Sequence, residues 1–215
     1  MTKKYFINLS VLFLILTFSL PAQAYWYGNT GGKLALMFRP KPVSLVITTD
    51  GNGGAIIAWK DIAALPDAVY ARRVDSNGNN LWDAGGIPIC TGADSPGDVH
   101  IVEDSSGGAI IAWSDFRTGD RNIYAQRVDS TGTALWTING VAVCPASGRQ
   151  ELKSIMGDGS GGAILTWEDS RNGTYSDIYT QKIDGTGTPQ WGLDGVPVCT
   201  ASGTQGDPVA APDGG

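Results

Sequence analysis

The chain has 215 residues, a formal net charge of −6 and a single histidine. Glycine is abundant at 30 residues and charged residues make up only 17%; with many Val, Ile, Thr and aromatic residues this describes short strands joined by tight turns, an all-β chain. An acidic surface repels phosphate backbones and argues against nucleic acid as a partner, and no apolar stripe at helical spacing occurs beyond the N-terminus to support a helical bundle.

At the N-terminus, Lys3 and Lys4 precede an apolar run from Tyr5 to Leu20, and Pro21-Ala22-Gln23-Ala24 supplies the small residues of a cleavage site. This is the pattern of a secretory signal peptide, residues 1–24, cut after Ala24. The run is shorter than the roughly 20 residues of a membrane-spanning helix. The expected location is secreted or cell surface, with no membrane span after cleavage. Loss of the two lysines leaves 191 residues carrying a net charge of −8. Residues 25–42, containing Pro40 and Pro42, read as a lead-in segment in which Leu34 to Phe38 is a further candidate strand.

From there the chain repeats. GGAIIAW at Gly53 to Trp59 returns at Gly107 to Trp113, and as GGAILTW at Gly161 to Trp167, with a step of 54 residues each time. Tyr70, Tyr124 and Tyr179, then Trp82, Trp136 and Trp191, then Cys90, Cys144 and Cys199 keep the register, apart from a one-residue slip in the third copy after Arg171. The copies span residues 43–96, 97–150 and 151–206, and residues 207–215 open a fourth. Asp213 stands where Asp50, Asp104 and Asp158 begin their turns, so the expectation is an incomplete array, from a truncated gene product or a partial sequence.

In the second copy the pattern predicts four strands: Asp98 to Val102, Ala109 to Trp113, Asn122 to Val128 and Val141 to Cys144. Asp- and Gly-rich turns separate them. The run Ala-Ile-Ile-Ala-Trp is apolar throughout rather than alternating, which suits a strand covered on both faces. Pro88 and Pro197 place the fourth strand at an edge, because proline cannot donate to a ladder. A four-stranded antiparallel unit of this length fits a blade of a β-propeller-like fold better than a coil of a β-helix. Kelch-like units are nearest in length.

The residues GGAIIAWSDFR, NIYAQRVDSTGTALW and NGVAVC resemble the β-propeller-like tandem repeats of uncharacterised exported bacterial proteins, over nearly everything from Val43 onward. The resemblance implies a fold and an exported location and carries no activity. The first copy departs from it with Ala63 where Arg117 and Arg171 stand.

Most acids recur at equivalent sites, Asp61, Asp115 and Asp169 for one set and Asp75, Asp129 and Asp184 for another, which points to structural roles. A glycosidase of the sialidase type needs unique carboxylates and an arginine cluster. No unique carboxylate pair stands out among Glu103, Glu151 and Glu168, the only glutamates. The segment Trp-x-Asp-x-Arg puts Asp and Arg on one side of an extended chain. Asp61, Asp115, Arg117, Asp169 and Arg171 are therefore the candidate ligand-binding residues, either as loop-ordering ion pairs or as the polar part of an aromatic-lined groove between blades.

His100 stands alone, with Val46 and Ser154 at its counterpart positions, and reads as a partly exposed strand residue; no catalytic triad and no metal site is expected. Asp75-Ser76-Asn77-Gly78-Asn79 alternates oxygen-bearing residues as a calcium loop does, but Asp129-Ser130-Thr131-Gly132-Thr133 lacks the further carboxylates, and a hairpin turn accounts for both. The three cysteines, one per copy, are expected to be free and largely buried. The expected function is a non-catalytic extracellular scaffold for adhesion or recognition, with an unidentified glycan or protein as ligand and no cofactor. The alternatives are a carbohydrate-active hydrolase with its catalytic residues elsewhere, and a purely structural spacer.

Overall fold

The run Ala-Ile-Ile-Ala-Trp, and its Ala-Ile-Leu-Thr-Trp counterpart, becomes the second strand of a four-stranded antiparallel sheet in every copy. The structure is a computed structural model that describes residues 42–62 and 66–211. The signal peptide, the lead-in segment up to residue 41, Ala63 and Asp213 lie outside the described residues.

The first sheet comprises β1 (Pro42–Thr49), β2 (Ala55–Asp61), β3 (Ala68–Val74) and β4 (Ile87–Cys90). The second comprises β5 (His100–Glu103), β6 (Ala109–Asp115), β7 (Asn122–Val128) and β8 (Val141–Cys144). The third comprises β9 (Gln150–Gly157), β10 (Ala163–Asp169), β11 (Asp177–Ile183) and β12 (Val196–Cys199). Each sheet runs in sequence order, and the first strands neighbour one another, β1 beside β5 and β5 beside β9. The architecture is all-β, with propeller-like blades in which the fourth strands are outer edges.

Burial on both faces of the second strand has a direct cause. Ile56 and Ala58 face the second sheet and pack with Ile111 and Trp113. Ile110 and Ala112 of that sheet turn the other way and pack with Leu165 and Trp167 of the third. Alternate residues of one strand thus belong to two different cores, which explains a run apolar at every position.

Tyrosine on the third strand faces tryptophan on the second: Trp59↔Tyr70, Trp113↔Tyr124 and Trp167↔Tyr179 are cross-strand partners, with ring centroids 6.1, 6.5 and 6.3 Å apart. The ladder between third and fourth strands slips at the same tyrosine in all three sheets. Pro88 and Pro197 lie in the outer strands β4 and β12, as the edge argument requires.

Three strand limits differ from expectation, the smallest being the end of β5 at Glu103, one residue past Val102. The second strands run two residues past tryptophan to Asp61, Asp115 and Asp169, because tryptophan and aspartate share a side and are joined there: the Trp113 and Trp167 indole N–H groups donate to Asp115 and Asp169 at 2.7 Å. The first strand of the second copy begins at His100 rather than Asp98. Just before it, the Val99 N–H is drawn to Ser44 Oγ of the first sheet at 2.8 Å, away from the ladder.

The turns are closed by aspartates. Asp50, Asp104 and Asp158 each accept from the backbone N–H groups two and four residues on, over 2.7–2.9 Å. Asp75, Asp129 and Asp184 do the same in the second turn of each blade. Gly140 has φ +90°, and a Cβ there would meet Trp113 Cη2 at 2.9 Å. That position has room for neither an L side chain's backbone cost nor its volume.

Candidate functional site

The blades present two ends. The turn end carries the aspartate-capped turns, and the loop end carries the links between second and third strands and between successive blades. The candidate ligand residues all lie at the loop end.

There, Asp115 accepts from the Arg117 guanidinium Nε at 2.9 Å and Nη2 at 2.5 Å, from the Arg117 backbone N–H at 3.1 Å and from the Trp113 indole at 2.7 Å. Asp169 repeats the set with Arg171 and Trp167. Burial pushes the Asp169 carboxyl up, and the Arg171 and Trp167 donors more than reverse this, holding it below the usual carboxylate range. The guanidinium of Arg117 also lies over the Tyr124 ring at 3.8 Å, and that of Arg171 over Tyr179 at 4.0 Å. The aspartates are fully buried, as are Trp113 and Trp167. These aromatic residues therefore belong to the core and do not line an open groove. Asp61 is buried in the first blade.

The same arginines reach backward. Arg117 Nη2 lies 3.2 Å from Cys90 Sγ of the preceding blade, and Arg171 Nη2 lies 3.5 Å from Cys144 Sγ. The first copy has Ala63 in place of the arginine and no described sheet before it to receive one. All three cysteines are free; Cys90 and Cys144 are buried and Cys199 is half-buried. Burial raises the Cys144 thiol to about 11 and pushes Cys90 the same way, so neither supplies a thiolate near neutral pH.

A second group of charged residues at this end belongs to no recurring motif. A cleft of about 450 Å³ is lined by Arg149, Glu151, Lys153, Glu168, Ser170 and Ser176. Glu151 on β9 and Glu168 on β10 are cross-strand partners. Glu151 accepts from Arg121 of the second blade at 2.6 Å and from Arg149 at 2.9 Å. Glu168 faces Lys153 at 3.4 Å and accepts the Asp207 backbone N–H at 3.0 Å. His100 lies close enough to feel Asp98, Lys153 and Glu151; burial, the largest influence, holds its imidazole below the ordinary value.

None of these charges recurs. Glu151 stands where the second copy has Gly97, Lys153 where it has Val99, and Glu168 where it has Ser114. Their signal in the sequence is departure from the repeat, which a motif that recurs does not carry. Buried side-chain atoms without a hydrogen-bond partner also gather here: Ser114 Oγ, Arg121 Nε, Asn122 Oδ1 and Gln150 Oε1. Ser114 Oγ, Arg121 Nη2 and Glu151 Oε1 all lie within about 3 Å of the point a Cβ on Gly97 would occupy. Among the described residues no group of three or more His, Cys, Asp or Glu is placed to hold a metal ion.

No family model matches the chain, and no curated protein does. Among solved structures the chain is similar to an endo-arabinase from Bacteroides thetaiotaomicron at 16% identity and a TM-score of 0.43, over 73% of this chain. The chain spans 61% of that enzyme's length. At this distance no residue role or substrate is carried across.

Proposed function

We propose that the chain is a non-catalytic extracellular or cell-surface recognition module, adhesive in role, that holds a polar ligand in the loop-end cleft of its third blade, with glycans the leading class. One observation carries the reading: Arg149, Glu151, Lys153 and Glu168, absent from equivalent positions elsewhere in the array, meet around a single cleft. Residues that return in every blade serve the fold. Charges that occur once are not required by the repeat itself, and carboxylates already matched to cations still offer acceptor positions to hydroxyl groups. Exported location is supported by the Lys3 to Ala24 pattern and by the resemblance of the repeats to those of exported bacterial proteins.

A second reading, a carbohydrate-active hydrolase, draws on the pairing of Glu151 with Glu168 across β9 and β10, since glycoside hydrolysis uses two carboxylates. Titration calorimetry against a panel of soluble polysaccharides, with a reducing-end assay on the same mixtures, separates the readings. Binding without product, lost in Glu151→Gln and Arg149→Ala, supports recognition. Product formation lost in Glu168→Gln supports the hydrolase, and no binding to any polysaccharide overturns both.

A further inference from the structure

The two interfaces between blades are built alike, and the third blade carries the first half of another. At the turn end, Arg73 bonds its own Asp50 at 3.0 Å and reaches across to the Ser130 carbonyl of the next blade at 2.7 Å. The Trp82 indole donates to the same carbonyl at 3.0 Å. One blade on, Arg127 bonds Asp104 at 3.0 Å and the Gly185 carbonyl at 3.0 Å, and Trp136 donates to Gly185 at 3.1 Å. At the loop end, the arginine of the following blade covers the cysteine of the preceding one, as Arg117 does Cys90 and Arg171 does Cys144.

On the third blade the receiving groups are more exposed than their counterparts, with lysine at the arginine position. Trp191 is 38% exposed, against 7% for Trp82 and 8% for Trp136. Val198 is 61% exposed, whereas its counterparts Ile89 and Val143 are 3% and 0%. Lys182 occupies the arginine position and holds Asp158 at 3.3 Å, and Cys199 is half-buried.

The segment that leaves this blade also takes the register of a new one. The Gln150 N–H bonds the Arg121 carbonyl at 2.8 Å where the third blade docks on the second. The Gln205 N–H bonds the Ser176 carbonyl, the equivalent residue one blade on, at the same 2.8 Å. The Ala210 N–H then bonds Ser154 Oγ of β9 at 3.0 Å.

From this we propose that the outer face of the third blade is a docking face for a further unit of the same repeat, entered along the register that Gln205 to Ala210 already take. The unit must bring an aspartate-capped turn whose carbonyl meets Trp191 and Lys182, and a Trp-x-Asp-x-Arg segment whose guanidinium covers Cys199. A second copy of this chain is the poorer match: its first blade has Ala63 where that arginine is needed, and the first-blade residues Ile57, Trp59 and Tyr70 are already buried. This inference is independent of the ligand cleft.

Thiol labelling tests it. In the 215-residue protein without denaturant, an aromatic disulfide reagent should label Cys199 and spare Cys90 and Cys144. A longer protein, in which residues 98–150 are repeated after Gly206 so that Asp98 takes the place of Asp207, should label Cys199 at least an order of magnitude more slowly. Changing only the added copy's Arg117 to Ala should restore much of the Cys199 labelling while far-UV circular dichroism keeps the added strand signal. Three results overturn the proposal: unchanged Cys199 labelling in a folded longer protein, an added unit that does not fold, or a 215-residue protein that sediments as a dimer with Cys199 already protected.

Discussion

The turn end and the loop end of the blades obey different rules. At the turn end the same contacts return: Asp50 with Arg73, Asp104 with Arg127, and Asp158 with Lys182. At the loop end the Asp115–Arg117 and Asp169–Arg171 pairs return, but beside them Arg149, Glu151, Lys153 and Glu168 occur once and open onto a cleft. In a repeated fold, recurrence marks what each unit needs to fold, and a charge that breaks recurrence is not held in place by that need.

Substitutions should separate the two classes, beginning with the recurring core. Trp113 is fully buried against Gly140 and Tyr124, so Trp113→Ala should lower stability by about 3–5 kcal/mol in chemical denaturation. Asp115→Ala leaves Arg117 without its carboxylate and the Trp113 indole without its acceptor. A loss of about 3 kcal/mol is expected, and polysaccharide binding measured below the new unfolding transition should be unchanged. If Asp115→Ala instead abolishes binding in a protein of normal stability, the recurring pairs are the ligand site and the contrast between the classes collapses.

Arg127→Met removes the link from Asp104 to the Gly185 carbonyl and should cost about 2 kcal/mol. Lys182→Met at the open face, with one partner rather than two, should cost less. Below these lies a pH effect at the cleft. Burial puts the folded His100 value below the unfolded one, so the unfolded chain binds more protons in between. Stability should be full above about 6.5 and fall as pH drops from there through the lower folded value, and His100→Gln should remove the step from a series of thermal melts. Asp169 behaves the same way lower down: its depressed carboxyl contributes stability above about 3.9 that is lost as pH falls through the folded value. The last change is Glu151→Gln. It removes the charge facing exposed Arg149 and the largely enclosed Arg121 of the second blade but keeps an oxygen that accepts from Arg121, so a loss of about 1–2 kcal/mol is expected, and this is the change expected to remove ligand binding.

How legible the cleft was depended on where each residue lies in the repeat. Asp115, Arg117, Asp169 and Arg171 were found because two copies of a motif sit in register, but their hydrogen bonds end inside the protein. Glu151 and Glu168 are 17 positions apart in the chain and become neighbours only through the pairing of β9 with β10. Arg121 joins Glu151 from another blade. No spacing rule within one strand relates these three.

What the amino-acid order determined alone is whatever depends on near neighbours: the 54-residue unit, its four strands, the aspartate-capped turns and the edge position of proline. Those follow from backbone preference and from the alternation of side chains along a strand, which are local. Which apolar faces are covered, and which single charges converge, was decided by the stacking of one blade on the next. Cys144 and Cys199 hold the same place in their units, yet one is sealed by the arginine of a following blade and the other is half open. The difference is supplied by a neighbour in space, which no residue beside either cysteine encodes.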